Sequence, residues 1–182
     1  NTFRHSHLSW AVIAQFFYVG AQVCVLSLFI LYATASAQIS EIQAADYLSM
    51  GGLAFLVGRF LGTALMKYFT PRHLLTSFAI VCVLLCLVAI FGKGMLTIYA
   101  LIGICFFMSI MFPTIFSLGI QQLGPDTEMA SSLIVMSIVG GALVPPLTAS
   151  LFKVGTVAAL SVPLLCFAYI VFFAYKGFEI KD

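Results

Sequence analysis

The chain has 182 residues, of which 63% are hydrophobic and only 8% charged, and its formal net charge is +2. A soluble domain holds roughly 45–50% apolar and 25% charged residues. This composition cannot make a water-facing surface, so the sequence reads as a polytopic, all-α membrane protein. The charge is too small and too dispersed to suggest a nucleic-acid partner.

The opening residues, Asn1 to Ser9, are polar and no initiator Met is present. The apolar run from Trp10 is too long for the core of a signal peptide, so the sequence reads like a piece of something longer. Crossing the hydrocarbon takes about 20 mostly apolar residues. Six such runs are predicted, at about Trp10–Tyr32, Tyr47–Phe69, His73–Phe91, Leu96–Leu118, Ser131–Phe152 and Val157–Tyr175. Pro71, the Gly92–Gly94 turn and the Gly124-Pro125-Asp126 turn separate several of them, as breakers should.

The first run contains AQFFYVGAQVCVLSLF. At about 100° per residue, Gln15, Tyr18 and Gln22 fall within about 60° of one another. Two amides and a phenol on one stripe carry donors and acceptors that lipid cannot satisfy. Such a stripe either lines an aqueous cavity and binds a polyol, or supplies hydrogen bonds between helices.

The second run places Gly51, Gly58 and Gly62 on one narrow seam, suited to close approach of another helix, with Gly52, Arg59 and Thr63 on the adjoining stripe. Arg59 lies about 15 Å from the boundary expected near Phe69, counted along a helix. That is far for a snorkelling side chain, and a guanidinium at a lipid-facing helix centre is costly. Every acid in the chain (Glu41, Asp46, Asp126, Glu128, Glu179, Asp182) lies at or beyond a helix end. Arg59 is thus expected to meet water, backbone carbonyls, a substrate or protein outside this chain, in a cavity or gate.

The third and sixth runs are continuous and apolar, as in SFAIVCVLLCLVAIF. The fourth, GICFFMSIMFPTIFSLGIQQLG, carries Pro113, which removes the hydrogen bond to the Ser109 carbonyl and bends or opens the helix there. Ser109 and Thr114 are at hand to re-satisfy the backbone; the break is either a flex point beside a cavity or a static kink. The fifth run has a Gly pair, Gly140-Gly141, then Pro145-Pro146, read as a further bend toward the outer side. Asp126 or Thr127 is placed to cap its start.

Cysteines 24, 82, 86, 105 and 166 all lie in apolar runs and read as free buried thiols. Cys82 and Cys86 share a helix face, but no His, Asp or Glu lies near them in sequence to complete a metal site. His5, His7 and His73 form no His–acid–nucleophile set, and no Gly-rich phosphate loop is present, so the sequence offers no enzyme chemistry and no cofactor site. Counting Arg4, Lys67, Arg72, Lys176 and Lys181 against Lys93 and Lys153 places both termini in the cytoplasm. Matched interruptions in two sets of three helices point to a transporter with its substrate site where interrupted helices meet.

Four stretches, AQFFYVGAQV, GRFLGTALM, MFPTIFSLGI and VMSIVGGALVPP, come in the order and spacing of a known family. Together they resemble the second six-helix half of the fucose–galactose–glucose:proton symporter family, the L-fucose permease group of the major facilitator superfamily. The resemblance implies a twelve-helix sugar transporter of the bacterial inner membrane that works by alternating access. Its driving force would be the proton gradient, with no cofactor, and its partners a sugar, a proton, the bilayer and the missing N-terminal half. It makes the first and fourth helices cavity-lining, the second and fifth contacts or gates between halves, and the third and sixth peripheral. Gln15, Tyr18 and Gln22 become candidate sugar contacts and Arg59 a cavity or gate residue, while the family's proton-coupling carboxylates belong to the absent half. GRFLGTALMKYFTPRH sits at the superfamily's cytoplasmic loop motif without the usual acid before the Arg. The alternatives are a transporter of another small solute on the same fold, or a non-transporting membrane sugar sensor.

Overall fold

A computed structural model describes residues 6–177. Arg4, His5, Glu179, Lys181 and Asp182, weighed above, lie outside the described residues. Among these residues the secondary structure is helix and turn, and six helical stretches are long and apolar enough to cross a bilayer.

The first span consists of α1 (Ser6–Ser27) and α2 (Phe29–Ala37), divided at Leu28. Leu28 N–H still donates to the Cys24 carbonyl at 3.0 Å and Tyr32 N–H to that of Leu28 at 2.9 Å, so the helix is dented and not severed. The second span is α3 (Glu41–Leu65), which starts six residues before the expected Tyr47. The reason is a capping box: Gln43 N–H donates to Ser40 Oγ at 3.3 Å, and Ser40 N–H donates to Gln43 Oε1 at 3.2 Å. Reciprocal capping satisfies end groups with polar residues, which apolarity alone does not reveal.

The third span is α4 (Pro71–Phe91), opened by a proline whose missing N–H is no loss in a first turn. The fourth is α5 (Met95–Met108) and α6 (Met111–Gly119), broken at Ser109–Ile110. That is where Pro113, third residue of α6, removes a donor. The fifth is a 3-10 turn (Gly124–Asp126), α7 (Thr127–Met136), a second 3-10 turn (Ser137–Val139) and α8 (Gly140–Leu151).

Two details of this fifth span differ from expectation. The helical hydrogen-bond pattern of α8 continues through Pro145 and Pro146, and the interruption lies about two turns earlier, at Ser137–Val139. Asp126 makes no side-chain cap; Thr127 Oγ1 instead donates backward to the Gly124 carbonyl at 2.7 Å. The sixth span is α9 (Thr156–Phe172), followed by a π-helical turn (Phe173–Gly177).

Packing makes the threefold-plus-threefold repeat visible. A Cβ on Gly140 would collide with the Phe16 carbonyl, and one on Gly20 would lie 2.5 Å from Val144 Cγ2. Cys24 Sγ meets Thr148 Oγ1 at 3.2 Å. Each of these pairs is 124 residues apart, so α1 and α8 run parallel in one register.

The mate of this pairing is α3 against α5. A Cβ on Gly51 would sit 3.3 Å from Cys105 Sγ, one on Gly58 would strike the Phe106 carbonyl, and one on Gly62 would strike Ile110. The repeat extends to the rings. Phe16 and Phe17 meet edge to face at 5.6 Å and 83°, and Phe106 and Phe107 do so at 5.1 Å and 79°. Phe16 therefore corresponds to Phe106 and Gly58 to Gly140, each placing a Phe carbonyl over a glycine of the other repeat. The third and sixth spans, α4 and α9, pack on each other. All five cysteines are buried and free.

Candidate functional site

The stripe of α1 that carries the polar residues faces the fourth span. Tyr18 is wholly buried, and its hydroxyl donates to the Met108 carbonyl at 2.9 Å. Met108 is the last residue of α5, where helix carbonyls lose their in-helix donors. Tyr18 thus ties the first span to the break in the fourth, with its ring edge-on to Phe112 at 6.3 Å. Ser109 Oγ and Thr114 Oγ1 donate to the carbonyls of Phe106 and Ile110, each at 2.7 Å. Both side chains are buried, so the backbone around the break is served by protein hydroxyls.

Gln15 is 0% exposed, and neither its Nε2 nor its Oε1 has a hydrogen-bond partner. An amide left this way costs roughly 1–3 kcal/mol of desolvation per unmatched group. Gln22, two turns further along α1, is half-buried. Of the three stripe residues, only Gln22 therefore keeps surface outside the half, while Gln15 and Tyr18 are enclosed within it.

Arg59 lies on the exposed face of α3. It borders a groove of about 480 Å³ together with Leu56, Phe60, Thr63, Ala64 and Lys67. Thr63 Oγ1 donates to the Arg59 carbonyl at 2.7 Å, and among the described residues no carboxylate pairs with the guanidinium. The chain leaves the helix after Leu65, six residues past Arg59, which puts the Arg59 backbone about 9 Å from the end of α3. The distance counted to Phe69 is longer because it treats a turn as helix. Gly52, on the same side, is exposed with no atom within 4 Å of a would-be Cβ.

The other glycines divide by neighbour. Gly51, Gly58 and Gly62 face the fourth span; Gly140 faces the first, and a Cβ on Gly141 would lie 3.0 Å from Val23 and 3.1 Å from Val19. These contacts are made inside this half. Two glycines not singled out from sequence matter as much. Gly20 receives Val144, and Gly119 closes a junction of three helices, where its Cβ would lie 2.7 Å from Ala11 and 2.8 Å from Ile134. Single glycines in apolar runs are common enough that nothing in the sequence marks these two. No group of three or more His, Cys, Asp or Glu among the described residues is placed to hold a metal ion.

The match to solved structures decides the kinship. A crystal structure of a major facilitator superfamily transporter, FucP, in the outward conformation has a TM-score of 0.89 and 42% identity, covering 94% of this chain and 42% of that one. The L-fucose-proton symporter of Escherichia coli is 43% identical over 179 residues, 94% of this chain and 40% of the relative. The glucose/galactose transporter of Brucella abortus is 34% identical over 180 residues, 97% of this chain and 44% of the relative. This chain is a homologue of the L-fucose and glucose/galactose transporters.

Its fold is a half of a major facilitator superfamily transporter, and it spans less than half the length of these curated relatives. It is a multi-pass membrane protein. No family model matches the chain.

Proposed function

We propose that this chain is the second six-helix half of a proton-coupled sugar transporter, working by alternating access with a hexose or 6-deoxyhexose as solute. The observation that carries this reading is the 42% identity to FucP, at a TM-score of 0.89, over nearly the whole chain. An L-fucose-proton symporter and a glucose/galactose transporter among the relatives support this class of solute. The protein is a permease and not an enzyme, resident in a bacterial inner membrane with both ends of this chain in the cytoplasm.

In this reading the sugar meets the half at Gln22, whose amide can donate to one hydroxyl and accept from another. Arg59 supplies a fixed positive charge on the exposed face of α3, for water in the cavity, the sugar, or a carboxylate of the other half. Protons are handled outside this chain, since Glu41, Asp46, Asp126 and Glu128 all lie within the first two turns of the second and fifth spans. The tight glycine contacts hold α1 to α8 and α3 to the fourth span, and the packed half rocks against the other.

The test is Gln22→Ala in the full-length protein, assayed by counterflow of L-fucose, galactose and glucose. Loss of matched hydrogen bonds worth about 1–3 kcal/mol lowers apparent affinity about tenfold or more. An unchanged affinity for every sugar that the protein carries would remove Gln22 from the site. Counterflow of none of the three would remove the sugar reading.

A further inference from the structure

We infer that the groove at the outer ends of α3 and α5 is a docking site for sugar, with Asp46, Gln43 and Tyr47 as its contacts. This rests on the sugar-transport reading above and adds a second station for the same class of solute, ahead of the site at Gln22.

The groove has a volume of about 460 Å³, and Ile39, Gln43, Asp46, Tyr47, Met50 and Met95 line it. Small-molecule sites span roughly 300–1,000 Å³. Gln43, the pair Asp46 and Tyr47, and Met50 follow one another at helical spacing, so they share a face of α3. Met95, the first residue of α5, closes the groove. Gly94 N–H donates to the Ser36 carbonyl at 3.1 Å, which draws the turn before α5 against the end of α2. By the lysine and arginine count, this is the outer end of the half.

The polar atoms here are held in place and not yet used. Gln43 Oε1 accepts from Ser40 N–H at 3.2 Å and from Ser40 Oγ at 3.3 Å, which fixes the amide. Its Nε2 has no acceptor among the described residues. Asp46 is exposed, and among the described residues no cation or hydrogen-bond donor meets its carboxylate. An ionised carboxylate is an acceptor with two oxygens, so Asp46 can take hydrogen bonds from two adjacent hydroxyls while Gln43 donates to a third. Tyr47 offers a ring for the C–H face of a pyranose. Met50 and Met95 offer polarizable apolar contact, suited to the methyl of a 6-deoxyhexose. A calcium ion takes about six to eight oxygens, and no group of three acidic, His or Cys residues is placed here among the described residues.

The other repeat lacks the set. In the register that pairs Gly58 with Gly140, Gln43, Asp46 and Tyr47 correspond to Pro125, Glu128 and Met129. An acid recurs because a helix start favours negative charge. The amide and the ring do not recur, so an account in terms of helix ends explains Asp46 alone and leaves the groove around it unexplained.

The test uses the full-length protein in right-side-out vesicles, with Met50→Cys as a reporter in the groove wall. Met50 is 52% exposed, whereas the five native cysteines of this half are buried. A membrane-impermeant maleimide should alkylate the new thiol from outside, and L-fucose, galactose or glucose should slow that alkylation. Two second substitutions then probe the contacts: Asp46→Ala, and Gln43→Glu, which keeps the capping acceptor and removes the donor. Each should raise the half-protecting sugar concentration about tenfold or more. Gln22→Ala in their place should leave the protection standing.

Protection that survives Asp46→Ala and Gln43→Glu but disappears with Gln22→Ala is a response to sugar bound elsewhere, and it overturns the inference while leaving the transport reading intact. Alkylation from the inner side only does the same, as does a lack of protection in a protein that accumulates the sugar. Protection by ethanolamine and by none of the sugars also overturns it, making the groove a seat for a lipid headgroup. A protein that neither binds nor transports any of the three sugars overturns both readings.

Discussion

Two helix pairs in this chain are built on one plan and put to different use. In both, a phenylalanine carbonyl lies over a glycine of a parallel neighbour: Phe16 over Gly140 in α1 and α8, Phe106 over Gly58 in α5 and α3. One turn further, α1 and α8 exchange the roles of knob and hole, with Val144 entering Gly20, whereas α3 supplies the hole again as Ile110 enters Gly62. Apolar side chains gain little from leaving lipid for a helix interface, so this close backbone approach is what holds the spans together. The pairs differ in what surrounds them. The α3 pairing leaves a continuous helix with an exposed cationic face, and the α8 pairing leads into the turn at Ser137–Val139 and the enclosed amide of Gln15. Packing is thus the conserved plan between repeats, and polar chemistry is where they part.

The comparison breaks most severely at the carbonyls. Gly58→Ala and Gly140→Ala each drive a methyl into backbone, which cannot rotate aside, and each should lower stability by about 3 kcal/mol, near the upper end of ordinary overpacking. Thermal unfolding in detergent reads this directly. If one variant is tolerated and its mate is not, the two pairs are not equivalent and the repeat is only topological.

A middling effect is expected at the tie between the repeats. Tyr18→Phe keeps the ring against Phe112 and removes the hydroxyl, leaving the Met108 carbonyl at the helix break without its donor. The loss should be about 1–2 kcal/mol. A midpoint equal to that of the unsubstituted protein would show that other donors already serve the break.

The smallest effect belongs to Gly52, the glycine with nothing around it. Gly52→Ala should be neutral, or stabilising by up to about 1 kcal/mol through helix propensity alone. Destabilisation comparable to that of Gly58→Ala in the full-length protein would mean that the other half packs onto this face of α3.

What the sequence discloses follows from which physical signals are strong in it. Apolar runs of spanning length survive any environment, so all six helices are legible. Their ends are not, where polar capping starts a helix early, as Ser40 and Gln43 do for α3. Pro113 announces the break at Ser109–Ile110 because a missing donor is a local fact. Leu28 and Ser137–Val139 break or soften their spans with no proline or glycine at the position, so only tertiary contacts show them. Pro145 and Pro146 mislead in the other direction, since α8 carries both in unbroken helix.

The polar stripe of Gln15, Tyr18 and Gln22 is plain from spacing, but spacing cannot say which member is enclosed. In the structure Tyr18 is spent on a backbone carbonyl, Gln15 is buried, and Gln22 keeps its surface. Arg59 illustrates a further limit. A helix reaching Phe69 would set Arg59 about 15 Å deep, and the turn after Leu65 shortens that distance. Its partner is absent from both sequence and structure among the described residues.

The most direct test of the account is uptake of labelled L-fucose, galactose and glucose into membrane vesicles holding the full-length protein, under an imposed inward proton gradient. The account predicts accumulation of at least one of these sugars above its external concentration, and loss of that accumulation when an uncoupler collapses the gradient. Uptake indifferent to the uncoupler would contradict proton coupling, and the absence of uptake for all three sugars would contradict the function itself.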